Sequence, residues 1–294
     1  MAIKSYKPTT PARRNMTVIT NQVITESMER VIAGPERKGR VMTDKEKRSI
    51  AYHESGHALV GHLLEHADPV HKISIIARGQ ALGYTLSIPD EDRFLQSKSE
   101  MIDNLAMFLG GRTAEEICNN GDVTTGASND LERATKMAKD MVTRFGMSDV
   151  LGHQVYGERD HNPFLGRDLS AAQDYSDDTA RVIDEEVARL MTAAHDTAYR
   201  ILSEHRAQLD TMAEVLLERE TVEGKAVQML LDDQWDEYLE WEKAHPEEAS
   251  RKDQLFENVT AKKIAGGTAD KPEALPEAAE DPGEPETPQP PQEQ

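Results

Sequence analysis

The chain has 294 residues, long enough for one large domain or two small ones with a real core. It carries a net charge of −20, with 30% charged and only 5% aromatic residues, which favours helices and argues against general binding to nucleic acid or anionic membrane. A single cysteine, Cys118, excludes an internal disulfide framework and a cysteine-rich zinc site.

In chain order, residues 1–20 read as an irregular basic leader. Residues 21–42 hold a short amphipathic helix ending at Gly34-Pro35 and a basic linker. Thr43-Asp44-Lys45-Glu46 is a capping-box pattern, and predicts a helix running to about His66, before Asp68-Pro69. The next segment, HKISIIARGQALGYTLSIP, has two β-branched runs around Arg78-Gly79-Gln80, the pattern of a hairpin. From Ser97 to Gly146 the period is helical, interrupted by NNGDVTTGAS. Residues 147–169 read as a long loop. A long helix is expected after Ser170, with Val182, Val187, Leu190, Met191, Ala194, Ala198 and Ile201 on one stripe, then helices near 206–218 and 223–231. Residues 265–294 hold eight acidic residues and seven prolines, so residues 244–294 read as a disordered acidic tail following a domain that spans 43–243.

The chemistry concentrates in AYHESGHALVGHLLEH. His53-Glu54-x-x-His57 is an H-E-x-x-H pattern, and His62-x-x-Glu65-His66 is its inverted form. Positions nine apart fall on opposite helix faces, so only one pair can face a buried site. His53 and His57 share a face with Ile50, Val60 and Leu64. His62 and His66 share theirs with Arg48, Ser55 and Ala51, which reads as the polar side. The metal therefore goes to His53 and His57, with Glu54 placed to act as general base on a water. The bland alternative is a pair of half-buried histidines bonded to backbone.

Two histidines leave a ligand missing. Glu115 and Glu116 in GGRTAEEIC, Asp130 in TTGASNDLERATKMAKDMV, and His153 and His161 in the long loop are all candidates, and periodicity does not choose.

Taken together, RVIAGPERKGRVMTDKEKRSIAYHESGHALVGH, KISIIARG, LGGRTAEEI and TTGASNDLERATKMAKDMVTRFGMS resemble the peptidase domain of FtsH, the family of membrane-anchored, ATP-dependent zinc proteases. The resemblance runs from about residue 21 to 232. It implies a mainly α, zincin-type fold with a small β element, and a zinc ion held by His53, His57 and Asp130 with Glu54 as catalytic residue. It also implies that an extended substrate adds as a strand beside the site. The run containing Ile73, Ser74, Ile75 and Ile76 is the candidate edge.

The implied activity is zinc-dependent endoproteolysis of unfolded polypeptides, within a homo-hexamer. The alternative is a catalytically silent assembly fragment that needs an AAA ATPase ring in trans. No phosphate-loop pattern and no run of about 18 apolar residues occurs. The chain as read therefore lacks the ATPase and membrane segments of the family, with residues 21–42 a remnant of the ATPase lid. The expected location is cytoplasmic, or the cytoplasmic face of a membrane in a full-length assembly.

Overall fold

A computed structural model describes residues 42–79, 81–89, 94–157 and 175–246, with Ser27, Arg30, Val31, Gly34 and Pro35. The leader, most of segment 21–42, Gln80, His161 and the tail from 247 lie outside the described residues.

Helix α1, Asp44–Leu63, starts on the expected capping box. Thr43 Oγ1 accepts from Glu46 N at 3.3 Å, and the Glu46 carboxylate accepts from Thr43 N at 2.8 Å. The helix stops at Leu63, earlier than expected. His66 therefore lies past its end, and the inverted motif cannot present two histidines on one face. Helix α2, Lys98–Cys118, opens on a second capping box formed by Ser97 and Glu100. A 3-10 turn, Thr125–Ala127, then feeds α3, Ser128–Thr143.

Helix α4, Asp177–Glu204, buries Ile183, Val187, Leu190, Ala194, Ala198 and Ile201 as one stripe. Its cap is Ser176, whose hydroxyl accepts from Thr179 N, so the helix begins later than the sequence pattern indicates. Helices α5, Arg206–Arg219, and α6, Lys225–Leu231, follow. Helix α7, Trp235–Ala244, was not anticipated. Trp235 stacks on Tyr238, Tyr238 meets Trp241 at a tilt, and the cations of Arg219 and Lys225 lie over the two tryptophan rings. The helix is thus held by ring–ring and cation–π contacts rather than by an aliphatic stripe.

Three short strands form an antiparallel sheet: β1, Val70–Ser74; β2, Tyr84–Ser87; and β3, Thr221–Glu223. The hairpin partners are in register from Lys72↔Leu86 to Ser74↔Tyr84, and Arg78 and Ala81 bridge across the turn. The order is β2-β1-β3, with Lys72 opposite Glu223 and Ser74 opposite Thr221.

This order corrects one expectation. β1 is the central strand, so the run Ile73, Ser74, Ile75 and Ile76 is no free edge. Ile73 pairs with both neighbours, Ile75 N donates to Glu220 O, and Ile76 N donates to Ser74 Oγ. A substrate cannot add where the backbone is already bonded.

The core forms where α1 packs against α2, α5 and the sheet, with α4 laid across α2 and α3. Ala51 and Ser55, assigned above to a polar side, are fully buried, so α1 is enclosed all round along its middle. The closest approach is glycine on glycine. A Cβ on Gly56 would collide with Gly110 O and lie 2.6 Å from Ala114 Cβ; one on Gly110 would lie 2.7 Å from Gly56 O. Gly56→Ala is expected to force the helices apart and destabilise the metal-free domain by about 1–3 kcal/mol, read as a lower urea midpoint.

Candidate metal centre

The glycine crossing sets α1 against α2 closely enough for both imidazoles of the H-E-x-x-H pair to lie on the α2 backbone. A Cβ on Gly111 would lie 2.5 Å from His57 Nε2 and 2.7 Å from His53 Nε2, so this position must be bare. His57 Nδ1 donates to Met107 O at 2.8 Å. His53 Nδ1 donates to Glu115 Oε1 at 2.7 Å. Both Nδ1 atoms are thus committed as donors, which leaves both Nε2 atoms as the ones that can face a metal.

The two Nε2 atoms lie 3.0 Å apart. Asp130 Oδ2, in the first turn of α3, stands 3.3 Å from His53 Nε2 and 3.4 Å from His57 Nε2. Three potential ligand atoms converge here, and a proton between His53 and Asp130 or a bound cation can hold them together. A metal ion bound at about 2.0–2.1 Å holds tetrahedral ligands about 3.3 Å apart, which matches the triangle. Among the described residues, no other group of three potential ligands is so disposed.

The electrostatics agree. Burial disfavours a charged His53, yet the Asp130 and Glu115 carboxylates outweigh it and push His53 up to about 10. Burial also raises Asp130, but its bonds to His53 and His57 hold it below the usual carboxylate range. The centre attracts positive charge.

The alternative ligands fall elsewhere. Glu115 is 2% exposed and accepts from His53 through one oxygen and from Thr124 N through the other, at 2.7 Å each. Burial alone would raise its pKa, and these bonds bring it below the ordinary value. It is placed to orient a candidate ligand, not to be one. Glu116 bonds His195 at 3.0 Å, and His153 is exposed. His62 pairs with Asp232 at 3.1 Å on the surface.

Glu54 is 6% exposed beside the triangle. Its Oε2 accepts from Thr85 Oγ1 at 3.0 Å, and the same hydroxyl reaches Glu54 O. Burial pushes its carboxyl above the ordinary range, while the two imidazoles pull it back. Such a carboxylate is suited to exchange a proton. His53, Glu54, His57 and Asp130 open onto a cleft of about 570 Å³, walled by Tyr84–Ser87 on one side and by Phe108, Arg133 and Met137 on another. The roles of Glu115, Thr85 and Met107 O were not visible in the sequence. The adjacency of Glu115 to Glu116 hid the first, since either could face the site.

Comparison with known proteins matches residues 40–230 to the model of Peptidase family M41, more than half of the chain. The chain belongs to peptidase family M41. It is 65% identical over 229 residues to the ATP-dependent zinc metalloprotease FtsH of Slackia heliotrinireducens, covering 78% of this chain and 29% of that protein. It is 54% identical over 235 residues to FtsH 1 of Conexibacter woesei, covering 80% and 36%, and 46% identical over 230 residues to FtsH of Thermotoga maritima, covering 78% and 38%. The chain spans about a third of the length of the curated relatives it matches. Among the described residues, no helix is long and apolar enough to cross a membrane.

Replacing Glu115 by Gln keeps the shape but removes the charge behind His53. Zinc affinity, read by competition with a chromophoric chelator, is expected to fall about 10–100-fold, whereas Glu116→Gln leaves it unchanged. Zinc should raise the melting temperature of the unaltered chain, and the rise should be lost in Asp130→Ala.

Proposed function

We propose that this chain is the proteolytic domain of an FtsH-like ATP-dependent protease, a zinc metalloendopeptidase acting on unfolded polypeptides. The observation that carries the reading is the buried carboxylate of Glu54 set directly beside three potential ligand atoms that converge within reach of one ion. A purely structural metal site has four protein ligands and no need of such a base, whereas three ligands and an open cleft are the catalytic pattern.

His53, His57 and Asp130 would hold zinc, which when bound supplies Lewis acidity, polarising a peptide carbonyl and lowering the pKa of water at the site. Glu54 takes a proton from the attacking water and returns it to the leaving amine. Thr85 holds the Glu54 carboxylate through Oε2, leaving Oε1 for that exchange. Glu115 and Met107 O keep both imidazoles in the tautomer that exposes Nε2.

The substrate strand fits β2 better than β1. β2 is an edge of the sheet, its four residues line the cleft, and Thr85 on it touches Glu54. An extended peptide that adds there brings its backbone past the base without displacing any existing pair. Only an unfolded segment can adopt that form, which supports unfolded protein as the substrate class.

The same reading takes a homo-hexamer and an AAA ATPase module, on this or another polypeptide, as partners, and the cytoplasmic face of a membrane as the place of work. Its support is the likeness to the ATP-dependent relatives.

The test is cleavage of a permanently unfolded polypeptide by the zinc-loaded chain. Glu54→Gln should lower the rate by about 10²–10⁴-fold while zinc stays bound. Equal, negligible rates in both proteins would favour a silent assembly fragment.

A further inference from the structure

Arg48, Arg112 and Arg133 make no ion pair among the described residues, and of these Arg133 lines the cleft. Arg144, Arg181, Arg189, Arg200 and Arg206 each bond a carboxylate three or four positions away on the same helix, and Arg219 makes a paired bond to Glu242. Among the described residues, Arg133 has no carboxylate within ion-pair distance, although the chain carries 54 acidic side chains. Its guanidinium instead lies 4.3 Å over the Phe108 ring.

Position matters as much as pairing. Arg133 is three residues after the metal-ligand candidate Asp130 on α3, so both side chains project to the same side of that helix. It lines the cleft that contains His53, Glu54 and His57, and Asn104, Met107 and Met137 line the same wall. The guanidinium is held over the Phe108 ring, and its N–H groups make no hydrogen bond among the described residues. Those groups are the part which recognises a carboxylate in a bidentate pair. The ring also limits the rotamers available, which reduces the entropy lost on binding.

We infer that Arg133 is a specificity-determining residue which selects substrates bearing an acidic side chain, Asp or Glu, in the subsite between α2 and α3. The inference rests on the protease reading above. Because the pair forms at a solvent-accessible wall, its effect is modest and sensitive to salt.

The test uses fluorogenic peptides, acetylated and amidated at their ends and identical except for one position scanned as Glu, Gln or Lys. For the zinc-loaded chain, one position should prefer Glu over Gln about fivefold in kcat/KM at low salt. In Arg133→Gln that ratio should collapse towards one, and in Arg133→Glu it should turn to favour Lys. Raising the salt should shrink the ratio in the unaltered chain, a response that a purely structural role would not produce.

Binding of the same peptides to zinc-loaded Glu54→Gln, followed by fluorescence anisotropy, provides a second reading. No preference for Glu in either measurement, or one that survives Arg133→Gln, overturns the inference. A preference that follows a free C-terminal carboxylate instead of the side chain also overturns it. If no peptide is cleaved, the protease reading fails separately, and the anisotropy ratio still decides whether Arg133 selects acidic side chains.

Discussion

The metal centre depends on two helices touching where neither has a side chain. Gly56 on α1 meets Gly110 on α2, and Gly111 lies under both imidazoles. At an ordinary helix separation of about 8–10 Å, side chains fill the gap and the histidines face one another's neighbours. Here the gap closes, so His57 reaches a main-chain carbonyl of α2 and His53 reaches the Glu115 carboxylate one turn past Gly111. The close packing of the crossing and the tautomers of the ligands are thus consequences of one absence, that of Cβ.

Four carboxylates near this crossing show how environment assigns roles. Asp130 faces the Nε2 atoms of both imidazoles, whose hydrogen bonds keep it ionised, as a metal ligand must be. Glu115 is enclosed by two donors and stays ionised as a support. Glu54, with a hydroxyl on one oxygen and burial around it, is pushed the opposite way. Glu116, the neighbour of Glu115, turns outward to His195 and takes no part. Identical chemistry in the sequence becomes three distinct functions in the fold, plus one surface contact.

Much of this was legible beforehand. The box at Thr43 and Glu46 announced α1, the i, i+4 histidines announced a site, and the helical period outlined α2 and α3. The likeness to FtsH pointed to Asp130, whereas spacing alone left five candidates open. What escaped were features made by contacts distant in sequence. β3 is three residues between two helices, too short for any period to show, yet it converts β1 from an edge into a centre. The buried state of Ala51 and Ser55 depends on elements packed from every side of α1, which no pattern within α1 can reveal. Helix α7 is held by Trp235, Tyr238 and Trp241 with two cations, a set without the usual aliphatic spacing.

Glu115 joins parts of the chain that otherwise have separate reasons to fold. One oxygen grips the first imidazole on α1, and the other grips Thr124, which caps the short turn leading to Asp130. Disorder in that turn would loosen the imidazole, and a misplaced imidazole would release the turn. The two ends of the ligand set are therefore coupled, so ordering either one favours ordering the other. An ion that settles on the first imidazole would thereby also steady the turn that carries Asp130.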